Sequence, residues 1–287
     1  MTVELSVLAA FGAMLSWGVG DFLIQKAARR VGDLEALAFI GIVGSVALFP
    51  LVLAELPAML DPYNFALMAV LGLVTVVAAL LDFESLRKGK LSVVEVILEM
   101  ELPVTVLLGI AFFGESLTLP QFGAIAAILA GIAMIARKRG SGGLKGVEKG
   151  AVLAVLAAVS MGFVNFLTAA GARQVSPLMA VCMPWLIISI ISFAILFRRD
   201  GWSKVVSGIS RFRRLMLAMA LCDTAAWLLF AYAVQGSVLS VTIAITESYT
   251  AVALLLGLLV NKEKIVAHQF AGAGIAVAAS LLLGFVL

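Results

Sequence analysis

The chain has 287 residues, of which 63% are hydrophobic and only 13% charged, against about 25% charged in an ordinary soluble domain. Its net charge is +3, with a single histidine, His268, and two cysteines, Cys182 and Cys222, both inside apolar runs. That excludes a soluble globular core, a disulfide scaffold and a multi-histidine or thiolate metal centre; no metal, cofactor or nucleic-acid partner is expected.

A helix needs about 20 mostly apolar residues to cross a bilayer. Such runs fall at roughly 5–26, 35–54, 64–86, 91–113, 120–136, 150–172, 177–197, 214–234, 239–260 and 266–286. The first has only Glu4 ahead of its apolar run and no basic n-region, so it reads as a span rather than a cleaved signal peptide. None shows the alternation of a membrane strand, and the backbone in lipid must satisfy itself, so all ten read as helices. Short loops join them and leave no extramembrane domain.

Nineteen of the twenty Lys and Arg residues lie in or beside the loops joining spans 1–2, 3–4, 5–6, 7–8 and 9–10. They include Lys26, Arg29 and Arg30, then Arg87, Lys88 and Lys90, then Arg137, Lys138, Arg139, Lys145 and Lys149. Only Arg173 lies on the other side. Basic loops stay cytoplasmic, which predicts a multi-pass plasma-membrane protein with both termini outside. Between Phe197 and Leu215, Trp202, Val205, Val206, Ile209 and Phe212 recur at helical spacing among basic residues, the pattern of a short helix on the cytoplasmic leaflet.

Residues 91–122 align without gaps on 239–270, with eleven identities. Apolar matches are cheap in membrane helices. Glu99 with Glu247, Glu115 with Glu263, and Gln121-Phe122 with Gln269-Phe270 are not. Span 1 also matches span 6 through Ser16/Ser160, Gly18/Gly162, Phe22/Phe166 and Leu23/Leu167, with Asp21 opposite Asn165. The reading is an all-α polytopic membrane protein of ten transmembrane helices in two inverted five-helix repeats, the first over 1–140 and the second over 141–287. An odd number of spans per half inverts the second half, the arrangement from which alternating access follows.

The chain resembles the EamA-like family, the ten-helix branch of the drug/metabolite transporter superfamily. The resemblance rests on Trp17-Gly18, on Gly114-Glu115-Ser116-Leu117 and its counterpart Lys262-Glu263-Lys264-Ile265, and on the five-plus-five repeat. It implies alternating access around a cavity lined by spans 1, 3, 4, 6, 8 and 9, with amino acids, other metabolites or drugs as cargo. The charge distribution departs from many relatives, which hold the N-terminus inside.

A carboxylate near mid-bilayer costs about 2.5–3.5 kcal/mol on the insertion scale, so it needs a partner, a water-filled cavity or a proton. Glu99 and Glu247 sit about two turns into spans 4 and 9. As a repeated pair they are the candidate coupling groups, able to trade a proton for a cationic or zwitterionic cargo. Glu95 is one turn before Glu99; Glu101, two residues on, points to nearly the opposite side and is expected to pack elsewhere. Trp17, Asp21 and Gln25 form a stripe on span 1, with Asn165 and Thr168 in the matching zone of span 6. Asp21 has the alternative of pairing with Lys26 or Arg29. Asp223 lies mid-span with Trp227 one turn later, a combination that fits an ammonium group. Tyr249 and Trp185 are further lining candidates. Asp82 and Glu84, beside Arg87 and Lys88, read as interfacial charges, and His268 as an interfacial residue. Small residues at four-residue spacing, Gly123, Ala127 and Gly131 in span 5 and Gly272, Ala276, Ser280 and Gly284 in span 10, allow close helix packing within a monomer or a homodimer.

Gly18-Val19-Gly20-Asp21 matches the Gly-x-Gly-Asp of intramembrane aspartyl proteases, but the partner Asp223 follows Cys222 and no Pro-Ala-Leu motif is present, so an enzyme is not expected. A flippase for a lipid-linked metabolite stays open. The sequence reads as a proton-coupled secondary transporter, expected to export a small cationic or zwitterionic metabolite such as an amino acid or amine. No phosphate-binding Gly-x4-Gly-Lys-Ser/Thr loop suggests ATP drive.

Overall fold

The computed structural model describes residues 3–116, 118–136, 150–199 and 202–286. The basic residues Arg137, Lys138, Arg139, Lys145 and Lys149, Leu117, the junction expected at 140/141, and the side chains of Trp202, Val205, Ile209, Ser280 and Gly284 lie outside what is described. Within it, regular structure is helical throughout. The first half comprises α1 (Val3–Arg30), α2 (Asp33–Val52) running into a 3-10 turn (Leu53–Leu60), α3 (Pro62–Lys88), α4 (Leu91–Leu98), α5 (Glu101–Phe113) and α6 (Leu119–Ala136). The second comprises α7 (Ala151–Gln174), α8 (Pro177–Arg198), α9 (Trp202–Gly236), α10 (Leu239–Glu247), α11 (Tyr249–Leu259) and α12 (Ala267–Val286).

Taking α4–α5 and α10–α11 as one crossing each, eight helices are long and apolar enough to span a membrane. The fifth and tenth crossings, α6 and α12, have 18 and 20 residues. The ends follow local chemistry. Asp61 accepts hydrogen bonds from the backbone N–H of Tyr63 (2.9 Å) and Asn64 (3.0 Å) ahead of α3, and Ser176 accepts from Met179 (3.0 Å) ahead of α8; both helices begin with proline, which lacks the N–H that would go unused there. The segment expected as a surface helix after Phe197 is helical from Trp202 and joins the eighth span through a kink at Phe212.

The packing exchanges the halves. α1 lies on α9 as α7 lies on α3; α5 packs on α7 as α11 packs on α1; α4 meets α11 as α10 meets α5. The pairs α2–α8 and α6–α12 map onto themselves under the same exchange. Lipid offers no hydrophobic drive between helices, so close approach of small residues does much of the holding. At Gly131 a Cβ would come 2.6 Å from the Gly272 carbonyl and 2.9 Å from Ala276, so at this contact the small stripes of α6 and α12 meet each other. Large apolar side chains such as Leu8, Val46, Phe112, Ile190 and Phe197 face outward, as a bilayer requires.

Candidate functional site

Spans 4 and 9, expected as continuous helices, are each interrupted part-way along, and at the same place in the repeat. α4 stops at Leu98 and α5 starts at Glu101; α10 stops at Glu247 and α11 starts at Tyr249. The backbone tightens to three-residue hydrogen bonds there: Met100 N to Ile97 O (3.2 Å), Leu102 N to Glu99 O (3.1 Å), Ser248 N to Ile245 O (3.3 Å) and Ala251 N to Ser248 O (3.2 Å). In span 4, Pro103 cannot donate the bond that would carry the helix through. In span 9 the hydroxyls of Thr246, Ser248 and Thr250 bond instead to the carbonyls of Ile243, Ala244 and Glu247, competing with the ladder.

Each break is braced by a glycine from the other half. A Cβ on Gly18 of α1 would come 2.6 Å from Val252 Cβ and 3.1 Å from the Tyr249 carbonyl. A Cβ on Gly162 of α7 would come 2.7 Å from Val104 Cβ and 3.2 Å from the Glu101 carbonyl. The repeated glycines of spans 1 and 6 therefore let those helices lie directly on the two breaks.

Beside the breaks lies a cavity of about 50 Å³, counted as space open to the centre of a water molecule, room for a few waters. Asp21, Asp82, Glu101, Asp223 and Glu247 line it, together with Asn165, and no Lys, Arg or His among the described residues does. Its aromatic wall is Trp17, Trp185, Trp227 and Tyr249. Trp17 meets Trp227 edge-on, centroids 5.1 Å apart and planes at 85°, and Tyr249 at 6.2 Å; Trp185 lies 6.3 Å from Trp227. Glu101 is held by Asn165 Nδ2 (3.2 Å to Oε2) and the Tyr249 hydroxyl (3.5 Å to Oε1), and it lies beside the Glu247 carboxyl.

Of the sequence candidates Trp17, Asp21, Glu99, Asn165, Asp223, Trp227, Glu247 and Tyr249, all eight but Glu99 converge on one cavity, as does Trp185. Neither Lys26 nor Arg29 pairs with Asp21 among the described residues. Lys26 lies 3.9 Å from the Phe22 ring, and Arg29 donates to the carbonyls of Leu86, Arg87 and Gly89. Glu99, the eighth, is fully buried but absent from the lining, and its Oε1 takes a short hydrogen bond from Thr250.

Besides Glu99, expected in the lining, three placements differ from the sequence reading. Glu101, expected to pack elsewhere, lines the cavity. Asp82, expected at the interface, is buried in the cavity wall, while Glu84 stays at the helix end with Arg87 and Lys88, both at 2.5 Å. Gln25 lies one turn beyond the site, accepting from Asn261 (2.9 Å) and donating to the Leu86 carbonyl (3.3 Å). Thr168 borders a small adjoining hollow with Trp185 and Trp227, and His268 sits in the first turn of α12, outside the lining. Several buried carboxyl oxygens have no hydrogen-bond partner among the described residues: Asp82 Oδ1, both of Glu95, Glu99 Oε2 and Glu247 Oε2.

Both ends of the bundle are tied by a device the sequence did not announce. The Glu115 carboxylate caps α10, accepting from Leu239 N (3.1 Å), Ser240 N (3.2 Å) and the Ser240 hydroxyl. Glu263 does the same for α4, accepting from Leu91 N (3.0 Å), Ser92 N (2.9 Å) and the Ser92 hydroxyl (2.7 Å). Gly109 and Gly257 make room, since a Cβ there would come 2.8 Å and 3.0 Å from the respective carboxylates. A helix cap removed by alanine costs about 0.5–2 kcal/mol. Glu115→Ala and Glu263→Ala should each lower the thermal midpoint, and the double variant should lower it by about the sum of the two; midpoints matching the wild type would show that the caps carry no stability.

A second prediction concerns the aromatic wall. A Cβ on Gly44 would fall 1.7 Å from Trp185 Cδ1, so Gly44→Ala must move the indole or the helix. Overpacking of this kind costs about 1–3 kcal/mol. The variant should lose ligand-induced stabilisation more than it loses stability; an unchanged ligand shift would show that Trp185 does not shape the site.

Ten apolar crossings in two exchangeable sets of five, enclosing a polar cavity beside two broken helices, are the architecture of a membrane transporter for small molecules. The chain belongs to the EamA-like transporter family, whose model matches it twice, over residues 4–137 and 148–285. A search of curated proteins gave no match. Among solved structures, one crystal structure superposes with a TM-score of 0.64 at 15% identity, covering 98% of this chain and 96% of the other; at that identity the likeness is one of fold alone.

Proposed function

We propose that the protein is a proton-coupled secondary transporter for a small cationic or zwitterionic metabolite, acting by alternating access in the plasma membrane with both termini outside. The observation that carries this reading is the cavity itself: five carboxyl groups and an aromatic wall among the spanning helices, with no basic side chain among the described residues lining it. Carboxyl groups held there require a cation or protons, and a carrier alternates between the two. Tryptophan faces add attraction for an ammonium group.

Glu99 and Glu247 support the coupling. The Thr250 hydroxyl faces two acceptors, Glu99 Oε1 and the Glu247 carbonyl at 3.0 Å, and it has one proton to give. Both contacts are satisfied when Glu99 brings a proton of its own. Release of that proton would leave a buried carboxylate competing with the Glu247 carbonyl for the single Thr250 proton at the crossing of two broken helices, which ties its protonation to their packing.

Thermal unfolding of the purified protein against amino acids, amines, sugars and organic anions, at about pH 6 and about pH 8, tests the reading through ligand stabilisation of the native state. Amines or amino acids should raise the midpoint, more so at the higher pH, where protons compete less. Stabilisation by sugars or organic anions alone would refute it. Silence from every soluble compound would favour a lipid-linked cargo.

A further inference from the structure

The hydrogen-bonding capacity of the cavity wall narrows the cargo. A zwitterionic amino acid brings an ammonium and a carboxylate, and each must find partners when it leaves water. For the ammonium the wall offers the carboxyl groups of Asp21, Asp82, Asp223 and Glu247. For the carboxylate it offers almost nothing. The Asn165 amide is committed to Glu101 Oε2 (3.2 Å) and Thr105 Oγ1 (3.4 Å), the Tyr249 hydroxyl to Glu101 Oε1 (3.5 Å), the Trp185 indole to Thr224 Oγ1 (3.1 Å) and the Thr75 hydroxyl to the Leu71 carbonyl (2.7 Å). Among the described lining residues that leaves two permanent donors, the indole N–H groups of Trp17 and Trp227, whose rings meet edge-on at 5.1 Å. A carboxyl that keeps its proton to serve a cargo carboxylate is lost as counter-charge to the ammonium.

From this imbalance between acceptors and free donors, we infer that the cargo is an organic ammonium ion that carries no carboxylate. This rests on the carrier reading above for its setting, but the selectivity follows from the wall alone. A cargo carboxylate would face the cavity acids without a cation to screen it, and the uncompensated desolvation would fall on every carboxylated analogue. Removing the carboxylate from an amino acid should therefore strengthen binding, the reverse of a site built for amino acids.

Matched pairs that differ mainly in a carboxylate provide the test: choline with glycine betaine, phenethylamine with phenylalanine, and agmatine with arginine. Dissociation constants come from titration calorimetry on the purified protein. In each pair that binds, the decarboxylated member should bind at least about tenfold more tightly, a difference of about 1.4 kcal/mol. Asp223→Asn should weaken that member about tenfold or more, whereas Asp223→Glu should retain it, which separates a lost charge from a lost fold. Equal or tighter binding of the carboxylated member, or binding by no member of any pair, overturns the inference. Counterflow in proteoliposomes with the same probes distinguishes the two readings. A carboxylated probe that is bound and carried overturns the selectivity and leaves the carrier; an amine that binds but is never carried leaves the selectivity and removes the carrier.

Discussion

The combined variant Glu99→Gln, Glu247→Gln is expected to bind cargo with little dependence on pH, where the wild type binds more tightly as the pH rises from about 6 to about 8. Glutamine keeps the size of each side chain and one acceptor oxygen while removing the titrating proton. Glu99 lies off the cavity, so its single variant should keep most of its affinity and lose part of the pH response. Glu247 lines the cavity beside Glu101, and its single variant should lose both. Asp223→Asn is the control: it should lower affinity while leaving the pH response of the remainder. A loss of about one proton's competition corresponds to a slope of about 1.36 kcal/mol per pH unit. If the combined variant kept the wild-type pH dependence, Glu99 and Glu247 would not be the coupling groups.

Gly18→Ala and Gly162→Ala are expected to damage the two helix breaks directly. Each places a methyl group within 2.7 Å of a β-branched side chain and 3.1–3.2 Å of a backbone carbonyl at a helix break. A flexible side chain could swing away; Val104 and Val252 are stiff at χ1, and the carbonyls belong to the breaks themselves. Relief requires α1 or α7 to back away from the break, separating Trp17 from Tyr249 in one case and Asn165 from Glu101 in the other. Overpacking costs about 1–3 kcal/mol in a well-packed core. The two variants should therefore show lower thermal midpoints together with loss of ligand stabilisation, and by the exchange of halves they should resemble each other. Glycine-like behaviour from either would show that its helix can slide freely.

These expectations draw on features that were unequally legible. The ten crossings and the exchange of halves follow from hydropathy and from repeated polar residues, because a bilayer fixes span length and an odd repeat forces inversion. The breaks are different: their causes lie in view, Pro103 in one span and the Thr246–Thr250 hydroxyl run in the other, but a uniformly apolar helix gives no periodicity to interrupt. For the same reason Glu99 and Glu101 could be placed on opposite sides, but the expectation of Glu99 in the cavity and Glu101 in packing is reversed in the structure. That choice is made by α7, whose Asn165 reaches Glu101.

Asp82 had a signal that its neighbours masked. Thr75, Ala79 and Asp82 stand at i, i+4 and i+7, one face of α3, and all three line the cavity. Arg87 and Lys88 drew attention to the helix end, where they pair with Glu84 instead. The caps made by Glu115 and Glu263 were visible only as a repeated identity, since their partners are 124 and 172 residues away along the chain.

The central claim is that cation and proton share one cavity, and proton movement during transport tests it most directly. Proteoliposomes loaded with a pH-reporting dye and held without a pH gradient would receive the most tightly bound amine of the panel on the outside. The account predicts that each amine carried in is exchanged for protons carried out, so amine entry alkalinises the lumen, and that Glu99→Gln with Glu247→Gln removes the signal. Amine flux of wild-type size with no change in lumen pH would contradict it.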